Sequence, residues 1–411
     1  MIRGASIICL SSVDWSFNRQ NPQEVSLAFA EAGNRVLFVE NTGVRRAALR
    51  DAPRLWSRFR NWWGARGGLK RVASNIDILS PLLLPSPYSR AALSLNTSVL
   101  VRAIRAWIDE GNGPLIVITF LPTPLARAVI AAIDPALVVY YCIDRLAVSS
   151  PEARRVVHSE RVLLADADLV LVTSEILYEM AAEVTSRVEL LATGVRIAEF
   201  ESARQSRSDA HEMFATLPRP VVGYIGSLRN ATDIALLTRA AELAPDLQFV
   251  LAGPRFIDVK ALANRPNVWL FDAIAHEEVM QYMVRFDAGV LPYVIDKFTD
   301  GIMPVKLKEY LAAGLPVVAT PMREVRRFAT KHPGLVIFAR DPQEFVDALR
   351  VALADGAPEE VARRVAVARQ YDWSVQMARM SELIEQALTP SLFFVASLTG
   401  LLLSEQLIDL L

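Results

Sequence analysis

Lys306 and Glu309 stand three residues apart in the stretch MPVKLKEYLAAGLPVVAT, residues 303–320. That spacing puts them on one side of a helix. Residues 305–313 read as the helix, Gly314 as its stop, and Pro316 as the entry to a short buried strand, 317–319. The first turn then lies at the sheet end where parallel α/β folds bind ligands. A lysine beside a helix N-terminus suits phosphate oxygens, and a carboxylate suits ribose hydroxyls. A nucleoside diphosphate offers both. The plainer readings are a solvated helix face for Lys306 and an ordinary i,i+4 ion pair for Glu309.

Other strand ends point the same way. Strand 221–225 runs into GYIGSLRNATD, where Gly223 and Gly226 allow backbone to approach a ligand. Arg229 sits in that turn, ahead of a helix start at Thr232-Asp233. VLAGP (250–254) closes a strand on Gly253-Pro254, and VLPY (290–293) closes another on Tyr293. One Gly-x-x-Gly pair often serves only a turn. Four strand ends with special residues in one segment argue for one site.

The elements that must carry these groups are legible as alternation. Apolar runs at 6–10, 35–40, 76–79, 115–120, 137–142, 168–173 and 188–191 read as strands with helices between most of them. The polar stretch 201–219 reads as a linker. The pattern restarts at 221–225, 248–252, 268–270, 288–291, 317–319 and 336–338. The expectation is an α/β chain of two Rossmann-like domains, 1–200 and 220–375, with parallel sheets facing across a cleft. Residues 376–411 are set apart as a C-terminal helix and apolar tail.

Composition narrows the classes. The chain has 411 residues, 52% of them hydrophobic, and a net charge of −1, which argues against a nucleic-acid partner. Cys9 and Cys142 lie in apolar strands and read as buried free thiols. His158, His211, His276 and His332 have no metal-ligand spacing, so no metal site is expected. The apolar run near the N-terminus is too short for a signal peptide and reads as the first strand.

The motifs GYIGSL, FVLAGP, NVWLF, FDAGVLPY and MPVKLKEYLAAGLPVVAT resemble the donor half of bacterial GT-B glycosyltransferases (glycosyltransferase family 1/4-like). They are most similar to polysaccharide and teichuronic-acid-type transferases with P-x-K-x-x-E-Y-x-A-x-G-x-P-V-V. In the first half, SSVDW with Arg19-Gln20, NRVLFVE, VVYYCID, ADLVLVTSEIL and TGVRIAEF also have counterparts. The resemblance spans roughly residues 5–388 and implies a GT-B fold, two Rossmann-like domains facing across a cleft.

It implies a sugar moved from a nucleotide diphosphate sugar, UDP favoured and GDP possible, without metal or other cofactor. Gly226, Arg229, Gly253, Tyr293, Lys306 and Glu309 would form the donor site. Asp14, Trp15 and Arg19 would lie on the acceptor side. Asp144 resembles the aspartate that serves as base in an inverting xanthan-type glucuronosyltransferase; a helix cap or an acceptor-orienting role are its rival readings. Asp14 is equally an Asx turn. Three departures stand out. Asp144 is followed by Arg145 where a second acid is usual. Thr193-Gly194-Val195-Arg196 replaces Asn-Gly-Val-Asp. Gly301, with Asp300 before it, stands where a retaining Glu-x7-Glu pair has its first glutamate. Inversion and retention therefore both stay open. A nucleotide-sugar 2-epimerase and a non-enzymatic two-lobed sugar-binding or scaffold protein are the rival functions.

Residues 45–71 carry nine basic residues and one acid. Leu55, Trp56, Phe59, Trp62 and Trp63 share a helical face, with Arg46, Arg50, Arg54 and Arg58 off it. Tryptophan opposite arginine suits a lipid interface, against a helix simply packed on its own domain. The expectation is a cytoplasmic enzyme, peripheral on the inner face of the membrane, acting on a glycan or lipid-linked glycan acceptor. The uncharged part of the tail, 391–404, is short for a span and reads as a docked helix or second anchor.

Overall fold

Strong apolar runs too short for helices pair into two sheets. The computed structural model describes residues 1–16, 19–42, 68–84, 88–111, 113–146, 153–206 and 217–389. The first sheet holds β1 (Ser6–Leu10), β2 (Arg35–Val39), β3 (Leu69–Ala73), β4 (Ile76–Leu79), β5 (Leu115–Thr119), β6 (Leu137–Cys142), β7 (Leu169–Val172) and β8 (Val188–Leu190). Its order is β3-β4-β2-β1-β5-β6-β7-β8. The second holds β9 (Val221–Ile225), β10 (Gln248–Ala252), β11 (Val268–Phe271), β12 (Ala288–Leu291), β13 (Val317–Ala319) and β14 (Val336–Phe338). Its order is β11-β10-β9-β12-β13-β14. The pairings are parallel except β3–β4.

Both sheets are buried on both faces, which is why their strands are apolar at successive positions rather than alternately. Ile8, Leu10, Val117 and Tyr140 face one apolar cluster of the first sheet, and Ile7, Cys9, Ile118 and Tyr141 face the other. Cys9 and Cys142 are free and buried, as expected, and burial pushes the Cys9 thiol up to about 12.

The helices that bear on the cleft are α1 (Asn21–Glu31), α2 (Glu175–Ala182), α3 (Ile197–Gln205), α4 (Val305–Ala312), α5 (Arg323–Lys331) and α6 (Trp373–Leu388). Three features differ from the sequence expectation. Strand β3 was not anticipated, because LKRVA carries two charges; it is an antiparallel edge, where charge protects against further pairing. Helix α3 runs through residues 201–205, which had been assigned to the linker. Helix α6 starts at Trp373 and does not stand apart. Its Met377, Met380, Leu383 and Ile384 join Val25 and Phe29 in the core of the first sheet. With α6 the described chain thus returns from the second half to the first.

The candidate membrane-surface residues Arg46, Arg50, Arg54, Trp56, Arg58, Phe59, Trp62 and Trp63, and the tail 391–411, lie outside the described residues. Among the described residues no helix is long and apolar enough to cross a membrane.

Candidate active site

In the second sheet the strand order reverses between β9 and β12, so their C-terminal ends flank a crevice. Helix α4 is anchored there by Tyr310. Its hydroxyl lies 3.2 Å from Gly223 O on β9 and 3.4 Å from Val290 O on β12. Gly289 makes room for that ring: a Cβ there would stand 2.4 Å from it. The N-cap of α4 is Pro304, with no side-chain cap, so the first-turn N–H groups of α4 receive no bond from that side chain.

Lys306 projects from this turn past Gly226. Its Nζ donates to the Tyr293 hydroxyl at 3.4 Å and lies 5.3 Å from the Tyr224 ring centre. Gly226 is approached in turn from Gly253, where a Cβ would stand 2.4 Å from the Gly226 carbonyl oxygen. An isolated bridge joins Thr232 to Tyr293. Gly226, Gly253, Tyr293 and Lys306 therefore come together as the strand ends suggested. Burial alone would lower the Lys306 ammonium, but Tyr293, Tyr224, Tyr310 and Glu309 outweigh it and the group is held above its ordinary value. Burial pushes the Tyr293 phenol up to about 12, so at neutral pH that hydroxyl is un-ionised. Burial raises the Glu309 carboxyl, and Lys306 opposes that rise.

A cavity of about 340 Å³ opens in front of these groups and is lined from both halves. Tyr293, Lys306 and Glu309 face Arg19, Asn21, Glu24 and Arg196 across it. Glu24 binds Arg196 through both its oxygens, at 2.9 and 2.8 Å from Nη2, and lies 2.8 Å from Arg19 Nε. Glu24 and Arg196 were not singled out as site residues. The one signal was the arginine that departs from the family's hinge motif.

The remaining candidates sit differently. Arg229 is exposed at the rim, stacked 4.2 Å over Phe256, and does not line the cavity. Trp15 packs edge-on against Phe38 at 4.9 Å, with its backbone N–H donating to Glu40, and is also off the cavity. Asp14 presents its backbone carbonyl to the Gln23 side chain at 3.3 Å. Asp144 follows β6 beside Ile143, which does line the cavity. The Asp144 side chain is open to solvent yet ringed by protein, and desolvation raises its carboxyl from the ordinary aspartate value. Among the described residues no group of three or more His, Cys, Asp or Glu could hold a metal ion.

Residues 219–355 match the family described as Glycosyl transferases group 1. Two Bacillus subtilis proteins named as teichuronic acid biosynthesis glycosyltransferases are similar. TuaH is 29% identical over 38% of this chain and 40% of its own length. TuaC is 24% identical over 45% and 47%. The alignments thus span less than half of either relative. Among solved structures, sucrose-phosphate synthase from Thermosynechococcus elongatus superposes with a TM-score of 0.69 at 18% identity, covering 93% of this chain and 99% of that one. Anabaena HepE in complex with UDP gives 0.63 at 15%, covering 94% and 100%. The chain thus has the GT-B fold, and its residues 219–355 match a group 1 glycosyl transferase domain.

Proposed function

We propose that the protein is a glycosyltransferase that moves a sugar from a nucleotide diphosphate sugar, a UDP-sugar first among donors, to a hydroxyl of a cell-envelope or exopolysaccharide acceptor carried on a lipid. The observation that carries this reading is the Lys306 ammonium, held against Gly226 and Tyr293 at the sheet's switch point with Glu309 on the same helix face. Lys306 and the first turn of α4 would meet the diphosphate, and Glu309 the ribose. The UDP bound by Anabaena HepE, a protein of the same fold, supports a uridine nucleotide.

The step forms a bond from the acceptor oxygen to the sugar's anomeric carbon and breaks the bond from that carbon to the β-phosphate. The leaving diphosphate gains negative charge. Lys306 and the α4 N-terminus, fixed before the reaction begins, would stabilise it without metal, and Arg229 would join them only by leaving Phe256. The acceptor proton would pass to Asp144, whose raised carboxyl brings it nearer to working pH than an ordinary aspartate. In a single displacement this inverts the anomeric centre. The enzyme would work at the inner face of the cytoplasmic membrane, held there by the basic, tryptophan-rich segment 45–71.

Incubation with common nucleotide sugars and a membrane extract, following free nucleotide and labelled product, tests the proposal. Release of UDP with label in a glycan or lipid fraction is the expected result. A nucleotide sugar returned as its C2 epimer would replace it with an epimerase, and tight binding without turnover would replace it with a binding protein. NMR of the product's anomeric centre separates inversion from retention.

A further inference from the structure

A buried carboxylate joins the two halves beside the cleft. Glu324 stands in the first turn of α5, in the second half, and is 1% exposed. Its oxygens are spent on the first half: Oε2 accepts from the Glu175 N–H at 2.9 Å, and Oε1 from the Ile176 N–H at 3.2 Å. These are the first N–H groups of α2, which a helix leaves without internal partners, at its positive end. Arg327 Nη1, 3.1 Å from Oε1, balances the charge.

The first half reciprocates. Ser174, the N-cap of α2, donates its hydroxyl to Gly301 O at 3.1 Å. Gly301 lies in the loop that leads into α4 and Lys306. The neighbouring Thr173 donates its hydroxyl to Ile143 O at 2.7 Å, one residue before Asp144. Two consecutive hydroxyls thus hold the loop of the candidate base and the loop of the donor helix, and Glu324 clamps the helix that follows them. Arg327 also reaches Glu179 of α2, and two further pairs, Lys331 with Glu175 at 2.6 Å and Arg323 with Glu179 at 3.2 Å, are half exposed and screened. They do not fix the approach of the halves as a desolvated carboxylate on two backbone donors does.

We propose that Glu324 is a positioning residue: through α2 and the Thr173-Ser174 step it sets the distance between Asp144 and the donor site when the cleft is closed. Its kinetic consequence rests on the glycosyltransferase reading above; its structural consequence does not.

The test uses the full chain with spin labels at Leu95→Cys and Val351→Cys, exposed positions in opposite halves. The native cysteines are buried and do not compete for label. With saturating UDP the parent should give one narrow distance distribution. Glu324→Ala should broaden it toward longer distances, Glu324→Gln should fall between, because one carbonyl oxygen still accepts, and Ser174→Ala should broaden it alone. UDP affinity by calorimetry should stay within about twofold, because no Glu324 atom lines the donor cavity, while kcat falls on the order of tenfold or more through misplacement. A parent-like distribution in Glu324→Ala and Ser174→Ala overturns the proposal. So does a fall of UDP affinity, melting temperature and rate in step, the mark of a merely structural residue. If the parent transfers no sugar, the function reading fails, and the distance measurement still decides the clamp.

Discussion

A Cβ on Gly226 would stand 2.4 Å from Cε of Lys306 and 2.7 Å from its Nζ. The glycine is there so that the lysine can be. Its φ of +153° adds a backbone reason against a larger residue. Gly226→Ala should push the ammonium off the phosphate position and weaken UDP binding by about tenfold or more, the value of one charge-assisted hydrogen bond. The lysine's far end can swing aside, so the fold should survive with a loss of about 1–3 kcal/mol from the strained backbone. Calorimetric titration of UDP beside a thermal melt checks both parts. Parent-like affinity would place the phosphates elsewhere.

Lys306→Ala should lower turnover on the order of a hundredfold at saturating donor, because the lost cation acts on charge that grows in the transition state. Glu309→Gln should weaken nucleotide binding more than it alters melting. A matched loss of affinity and melting temperature in Glu309→Gln would mark that carboxyl as structural.

Asp144→Asn should leave UDP affinity intact and remove most transfer. A base must be ionised to accept a proton, and desolvation raises the Asp144 carboxyl. The acid limb of the rate profile should therefore lie above the value of an ordinary aspartate, with rate rising as pH rises through it. The stability sign is opposite. The folded state holds this proton more tightly than the unfolded chain, so the contribution is present at low pH and lost as pH rises through the raised value. The Asn variant should lack both dependences; retained transfer would point to another base or to a retaining route.

Lys308 is 1% exposed, its Nζ donates to Thr193 O at 3.0 Å, and burial depresses it to about 7. A buried amine with a depressed value sheds its proton in the fold while the unfolded chain keeps one. Stability should therefore rise as pH climbs from about 7 toward 10.5. The Thr193 carbonyl and the Tyr371 ring, 4.5 Å away, favour the ammonium and make the slope shallower than burial alone would. Lys308→Met should flatten the rise. Denaturant midpoints at several pH values between these limits read it, and identical slopes in parent and variant would refute it.

Binding to anionic vesicles should fall steeply with salt, since each arginine near the surface adds about 1 kcal/mol and is screened within about 8 Å. Changing Arg46, Arg50, Arg54 and Arg58 to Ser should release the protein while leaving UDP affinity unchanged. Parent protein that stays in the supernatant at low salt would remove the lipid-surface reading.

Several features were legible because they obey local rules. Apolar runs such as SIICL and VVGYI suit strands buried on both faces, and all thirteen anticipated strands begin and end within one residue of their observed limits. Lys306 and Glu309 share a helix face by spacing alone, and Gly314 stops that helix with a φ of +81°. What the chain could not reveal locally is which distant residues meet. Arg196 reads only as a departure from the Asn-Gly-Val-Asp motif until Glu24, 172 positions away, binds it on the cleft wall. Trp15 reads as a cleft aromatic until Phe38 claims it for the core. Glu324 looks like any first-turn acid until the fold brings the bare N–H groups of α2 against it. Helix α6 carries no mark in its own residues that its core lies in the other half of the chain. Periodicity and propensity act over a few residues; a partner across a cleft is chosen by how two sheets pack, and only the tertiary structure holds that information.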